Sequence, residues 1–188
     1  MNRAAISFEA VFNEYQPKIE RYLVRMVGQN EAEDLCQDVF LKIDRGLKSF
    51  EGKSSLSTWI YRIATNAAMD KIRSKSYKQK TNEKHFEDLP ILHSNTERTS
   101  EQNAIRKEMS LCVRGFVEAL PEDYRAVLIL SEFEELKNKE IAEILGISLE
   151  NVKIRLHRGK ATLKETLQKN CDFYHDEQSI LSCDRKQT

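Results

Sequence analysis

The chain has 188 residues, 40% hydrophobic and 32% charged, with 30 Lys and Arg balanced by 30 Asp and Glu. That length accommodates one or two domains, six Gly and three Pro argue against a turn-dense β architecture, and zero net charge means that any nucleic-acid site must come from local segregation of charge. No run approaches the roughly 20 apolar residues of a membrane span, the N-terminus lacks an apolar signal core, and the four cysteines form no CxxC, so a cytoplasmic protein in a reduced compartment, with no membrane insertion, is expected.

Residues 6–27 carry Phe8, Val11, Phe12, Tyr15, Ile19, Tyr22, Leu23, Met26 and Val27 at helical intervals, with Pro17 expected to bend or interrupt the element. Gly28, Gln29 and Asn30 make a turn. A second helix, 31–48, turns Leu35, Val39, Phe40, Ile43 and Leu47 inward and leaves Glu33, Asp34, Gln37, Asp38 and Asp44 on or beside its outer face. Asp34, Gln37 and Asp38 stand at i, i+3 and i+4 and cluster. On charge alone they form either a solvated acidic face or a dock for a basic partner.

A polar loop, 49–57, leads into a helix expected over 58–74, with Leu56, Ile60, Ile63, Ala64 and Ala67 inward. Its outer arc carries Tyr61, Arg62, Thr65, Asn66, Met69, Ile72 and Arg73, with Trp59 at the border. Aromatic, amide and cationic groups beside a polar loop can stack on an unpaired base, or the rings can complete a core. Lys71, Arg73, Lys75, Lys78, Lys80 and Lys84 face only Asp70 and Glu83, which suits a phosphate backbone. From 76 to about 103 the apolar rhythm fails and the composition is that of a flexible linker.

Helical patterning returns over 104–120, and Pro121 takes the favoured first-turn position of a helix that buries Tyr124, Val127, Leu128, Leu130 and Phe133. The sharpest local signal follows. Ile141, Ala142, Ile144 and Leu145 make one stripe, Gly146 permits a left-handed exit, and Ser148 caps a second helix with Val152, Leu156, Leu163 and Leu167 inward. This is a helix-turn-helix, whose second helix enters the major groove. On that helix Ile154, His157 and Arg158 face outward with Lys153 near the edge; an apolar side chain among cations suits a thymine methyl, and Arg158 can pair with guanine. In the polar tail, 170–188, Cys171, His175 and Cys183 can bind metal or sense redox state, but their spacing matches no common zinc pattern and the alternative is an uncommitted tail. No catalytic signature emerges, and neither an enzyme, a cofactor nor a metal is expected.

The blocks EAEDLCQDVFLKI, FEGKSSLSTWIYRIATNAAMDKIR, LPEDYRAVLIL and EIAEILGISLENVKIRLHRGKATLK resemble those of bacterial sigma factors of the extracytoplasmic-function (ECF) type, over about residues 6–168. The resemblance implies an all-α protein of two small helical domains on a flexible linker. Residues 6–76 would be a region 2-like domain for polymerase docking and −10 melting, 77–103 the linker, 104–169 a region 4-like helix-turn-helix domain, and 170–188 a tail beyond the minimal fold. It implies core RNA polymerase, promoter DNA and an anti-sigma factor as partners. By motif position Asp34, Gln37 and Asp38 would touch polymerase; Phe50, Lys53, Ser54, Trp59, Arg62, Asn66 and Arg73 would serve the −10 element; and Lys153, Ile154, His157 and Arg158 would read the −35 element. Ile154 and His157 depart from the family and leave the −35 preference open. The competing readings are a stand-alone helix-turn-helix regulator and a helical adaptor.

Overall fold

The computed structural model describes residues 6–81, 113–175 and 181–186. The first helix, α1 (Phe8–Val27), places Val11, Tyr15, Ile19, Tyr22, Leu23 and Met26 on one buried stripe. It runs through Pro17 without interruption. The proline removes one backbone donor, but the stripe on both sides of it is locked into the same core. Gly28, at φ 87°, then lets the chain reverse, its N–H donating to Val24 O at 3.1 Å.

The next helix, α2 (Gln29–Leu47), buries Ala32, Leu35, Cys36, Val39, Phe40 and Ile43 against α1. Burial, and secondarily the Glu20 charge, push the Cys36 thiol up to about 11, so it stays protonated and inert near neutral pH. The third helix, α3 (Leu56–Thr81), closes the bundle through Ile60, Ala64 and Ala67. It starts two residues earlier than its periodicity suggests because Ser55 caps it, the Thr58 N–H donating to Ser55 Oγ at 3.0 Å. It also runs five residues into the expected linker; residues 82–103, the rest of that linker, lie outside the described residues, as does the first part, 104–112, of the helical patterning that follows.

The second bundle comprises α4 (residues 113–118), α5 (Glu122–Glu132), α6 (Asn138–Leu145) and α7 (Leu149–Asn170). Pro121 sits as the residue before α5 rather than within its first turn. Val127, Ile129, Leu130, Ile141, Ile144 and Val152 are its sealed core. Where α7 crosses α5 the approach is so close that a Cβ on Gly159 would lie 3.1 Å from Leu128 Cδ1 and 3.2 Å from Tyr124 Cβ. Beyond α7 the tail forms a hairpin, β1 (Cys171–His175) antiparallel to β2 (Leu181–Arg185), with Cys171 opposite Arg185 and Cys183 opposite Phe173. The expectation of an uncommitted tail missed this hairpin. Its three candidate ligands do not converge, since His175 lies four residues, about 13 Å, along the strand from Cys171. Among the described residues no group of three or more His, Cys, Asp or Glu is placed to hold a metal ion.

The two bundles touch. Helix α3 packs on α6, and α1 on α5. Packing of α3 on α1 and on the second bundle overturns two local expectations. Tyr61, Thr65 and Met69, expected on an outer arc, are buried, while Phe133, expected in the core, is 48% exposed and lies under the Arg25 guanidinium at 4.7 Å.

Candidate polymerase and nucleic-acid interfaces

Three surfaces carry the residues singled out by the sequence. On α2, Asp34, Gln37 and Asp38 are all exposed, one helical turn apart along a single ridge. Lys71 of α3 flanks them, its ammonium bonding Glu31 at 2.5 Å. Its pKa is raised by Glu31 first, with Asp34 and Asp38 adding smaller contributions. The ridge therefore keeps a carboxylate-rich outer edge with a lysine on its flank, and it can receive a basic groove.

The second surface joins the loop before α3 to that helix. Trp59 is half-buried because its indole lies against the backbone of Gly46, where a Cβ would come within 2.9 Å of the ring. Phe50 stands beside it, ring centroids 5.2 Å apart and planes tilted by 44°. Gly46 was not singled out by the sequence reading, yet it is what lets the indole sit flat. Lys53 is exposed and pairs with Glu51, and the Ser54 hydroxyl donates to the Ser55 carbonyl at 3.3 Å. Asn66 and Arg73 are exposed farther along α3, Arg73 pairing with Glu122 at 2.7 Å. Arg62 lies on the same side, half-buried. The set forms a line of two aromatic rings, an amide and two guanidiniums, and Tyr61 is buried against Tyr22 rather than part of it. Rings and guanidinium planes stack on any base, whereas the amide and cations reach base edges and phosphates.

The third surface is α7. Gly146 adopts φ 64° and ψ 33°, and the Ser148 hydroxyl accepts the Asn151 N–H at 3.2 Å, so the turn and cap form as the sequence requires. Val152, Leu156 and Gly159 face inward. Lys153, Ile154, His157 and Arg158 are exposed together, Ile154 at 40%. Two other cations of the helix are tied back to its own bundle: Arg155 to Asp123 at 3.1 Å and Lys160 to Glu132 at 2.9 Å. The buried stripe sets the rotation of α7 and, with these two cations turned back, leaves the four reading positions outward.

A helix-turn-helix with an outward recognition face, joined to a bundle that carries an aromatic and cationic line, defines a two-part DNA-binding transcription factor. Residues 11–77 match Sigma-70 region 2, and residues 110–163 match Sigma-70, region 4. The chain is 34% identical over 173 residues to RNA polymerase sigma factor SigZ of Bacillus subtilis, covering 91% of this chain and 93% of that one. It is 34% identical over 167 residues to the ECF RNA polymerase sigma factor SigW of the same organism, covering 86% and 89%. Among solved structures it resembles the sigma factor RpoE of Bartonella quintana, crystallised with the anti-sigma factor NepR, with a TM-score of 0.68 at 21% identity over 86% of this chain and 96% of that one. The chain belongs to the sigma-70 family of RNA polymerase sigma factors and, within it, to the ECF type. It directs promoter-specific transcription initiation.

Proposed function

We propose a residue-level division of this work among the three surfaces. The α2 ridge of Asp34, Gln37 and Asp38 docks on core RNA polymerase. The Phe50 and Trp59 rings, with Lys53, Ser54, Arg62, Asn66 and Arg73, capture an unpaired non-template base of the −10 element and hold its backbone. Opening duplex costs a few kcal/mol per base, and stacking of the released base offsets it. Lys153, Ile154, His157 and Arg158 read the −35 element as intact duplex in the major groove. By this assignment the domains are residues 6–76 and 104–169. Polymerase holds both at a fixed separation, so the second DNA contact becomes intramolecular and two weak grips act as one strong one.

The observation that carries this reading is the pairing of an exposed recognition face on α7 with the ring pair propped on Gly46. An anti-sigma factor is a further expected partner, as for the Bartonella quintana relative. The protein acts in the cytoplasm and without catalysis of its own. No helix among the described residues is long and apolar enough to cross a membrane. The test is permanganate footprinting of promoter thymines with core polymerase and the Trp59→Ala chain. The holoenzyme should still assemble and protect the −35 region, but leave the −10 thymines unreactive. Normal opening by Trp59→Ala would contradict the assignment.

A further inference from the structure

The stripe that builds the core of the first bundle leaves the opposite side of α1 to Pro17, Glu20, Arg21, Val24 and Arg25, at i, i+3, i+4, i+7 and i+8. That side forms one wall of a cleft of about 640 Å³ whose facing wall is Val113, Arg114 and Val117 of α4, with Phe133 also lining it. Small-molecule sites span about 300–1,000 Å³ and combine apolar walls with a few convergent polar groups. This cleft has both properties. None of the residues assigned above to polymerase or to DNA lines it.

Its polar groups are rich in donors, and its acceptors are already engaged. Arg25 lies over the Phe133 ring at 4.7 Å and pairs with Glu134 through Nη1 at 3.4 Å. Arg114 gives Nε to Glu118 at 2.9 Å and Nη2 to the Val24 carbonyl at 3.0 Å. A guanidinium has five N–H donors in a planar fork, so both arginines are held in place with donors left over. Arg21 is exposed, and no carboxylate among the described residues pairs with it. Glu20, the one carboxylate in the lining, accepts the Gln16 amide at 2.8 Å.

We propose that this cleft binds one molecule of an anionic amphiphile, a carboxylate carried on an aliphatic chain. Arg21 takes the head, with spare donors of Arg25 and Arg114 beside it, and the chain lies between Val24 on one wall and Val113 and Val117 on the other. One guanidinium without a carboxylate calls for one negative charge, which a carboxylate supplies and a phosphate monoester exceeds. A nucleotide or other flat aromatic body fits less well, because the one ring among the described lining residues, Phe133, is already covered on one face by Arg25. Burial of the chain removes apolar surface of both partners from water, and the apolar walls strengthen the pairing of the head beyond its value in open solvent.

The experiment is isothermal titration of the full chain with dodecanoate, kept below the concentration at which it forms micelles. Acetate, the head without the chain, and dodecyltrimethylammonium, the same chain with the opposite charge, are titrated beside it. Dodecanoate should saturate at one molecule per chain, and the other two should give no saturable heat. Arg21→Gln should weaken dodecanoate about tenfold, through loss of a charge-assisted hydrogen bond. Val24→Trp, which fills the slot, should abolish binding. Both positions lie on the side of α1 away from its core stripe, so helical circular dichroism and affinity for a −35 duplex should match wild type, which separates a lost site from a lost fold. One polar and one apolar position are used so that if either variant fails to fold the other decides. No heat from dodecanoate with wild type, uptake of several molecules per chain, equal binding of the cationic amphiphile, or unchanged affinity in a folded variant would each overturn the site. The assignments to polymerase and promoter DNA stand apart from all of these results.

Discussion

The Tyr22 hydroxyl and Thr65 Oγ1 meet at 2.8 Å where α3 crosses α1, and their environment fixes what each contributes. Thr65 Oγ1 donates to its own helix at the Tyr61 carbonyl, 2.6 Å away, so Tyr22 must be the donor in the bond between them. Tyr22 is fully buried, and desolvation is the main cause of its raised pKa. Tyr22→Phe removes a donor and leaves Thr65 its bond to Tyr61, so the expected loss is that of one buried hydrogen bond, about 0.5–1.5 kcal/mol. Thr65→Val is near-isosteric but strands the tyrosine hydroxyl in a sealed site, for which the expected loss is about 1–3 kcal/mol. The double variant should cost less than the two losses added, because with the tyrosine replaced there is no hydroxyl to strand. Trp59, the single tryptophan, sits in the first bundle, so its fluorescence during urea unfolding of the full chain follows the unfolding of this bundle. Equal losses from the two single variants, or strict additivity in the double, would refute the donor assignment.

Gly159→Ala sets a helix-propensity gain of about 1 kcal/mol against overpacking of about 1–3 kcal/mol, because Tyr124 Cβ is fixed to its backbone and cannot turn aside. Net destabilisation of about 1 kcal/mol is expected in urea, and a stabilised variant would show that α5 yields. Arg158→Ala should reduce discrimination at one −35 base pair by about 1–3 kcal/mol, measured by competition among single-substitution duplexes; a uniform loss on all sequences would assign Arg158 to phosphate instead. Charge reversal at Asp34 and Asp38 together should weaken co-purification with core polymerase while both bundles keep their helical circular dichroism. Undiminished co-purification would remove α2 from the docking surface.

Local periodicity made most of the fold legible. The stripes of α1, α2 and α7, the left-handed Gly146 and the Ser148 cap all follow from residues within a turn of each other, and the structure reproduces them apart from Phe12 of α1, which is 40% exposed. The misreadings arise where a distant partner decides. Tyr61 and Thr65 project to the solvent side of an isolated α3, but Tyr22 of α1 and Glu134 of the second bundle cover them. Phe133 fits the apolar rhythm of α5, yet the helix ends at Glu132 and the ring turns out toward Arg25. At Pro17 the missing donor suggests a break, and tertiary packing outweighs it. The hairpin over Cys171–Arg185 is hard to read because its strands are short and carry no clean alternation. Of the sites, the recognition face of α7 could be projected from sequence, and the exposure of all four of its residues agrees with that projection. The ring platform could not, since the contact of Trp59 with Gly46 joins two helices across a loop.

The central claim is that one chain grips two promoter elements while mounted on polymerase. Mapping RNA 5′ ends made by core polymerase on genomic DNA, with and without the protein, tests it most directly. New start sites should appear only with the protein, each preceded by the same pair of −10 and −35 sequences, and Arg158→Ala should relax the −35 member alone. An identical set of start sites in both reactions would contradict the account.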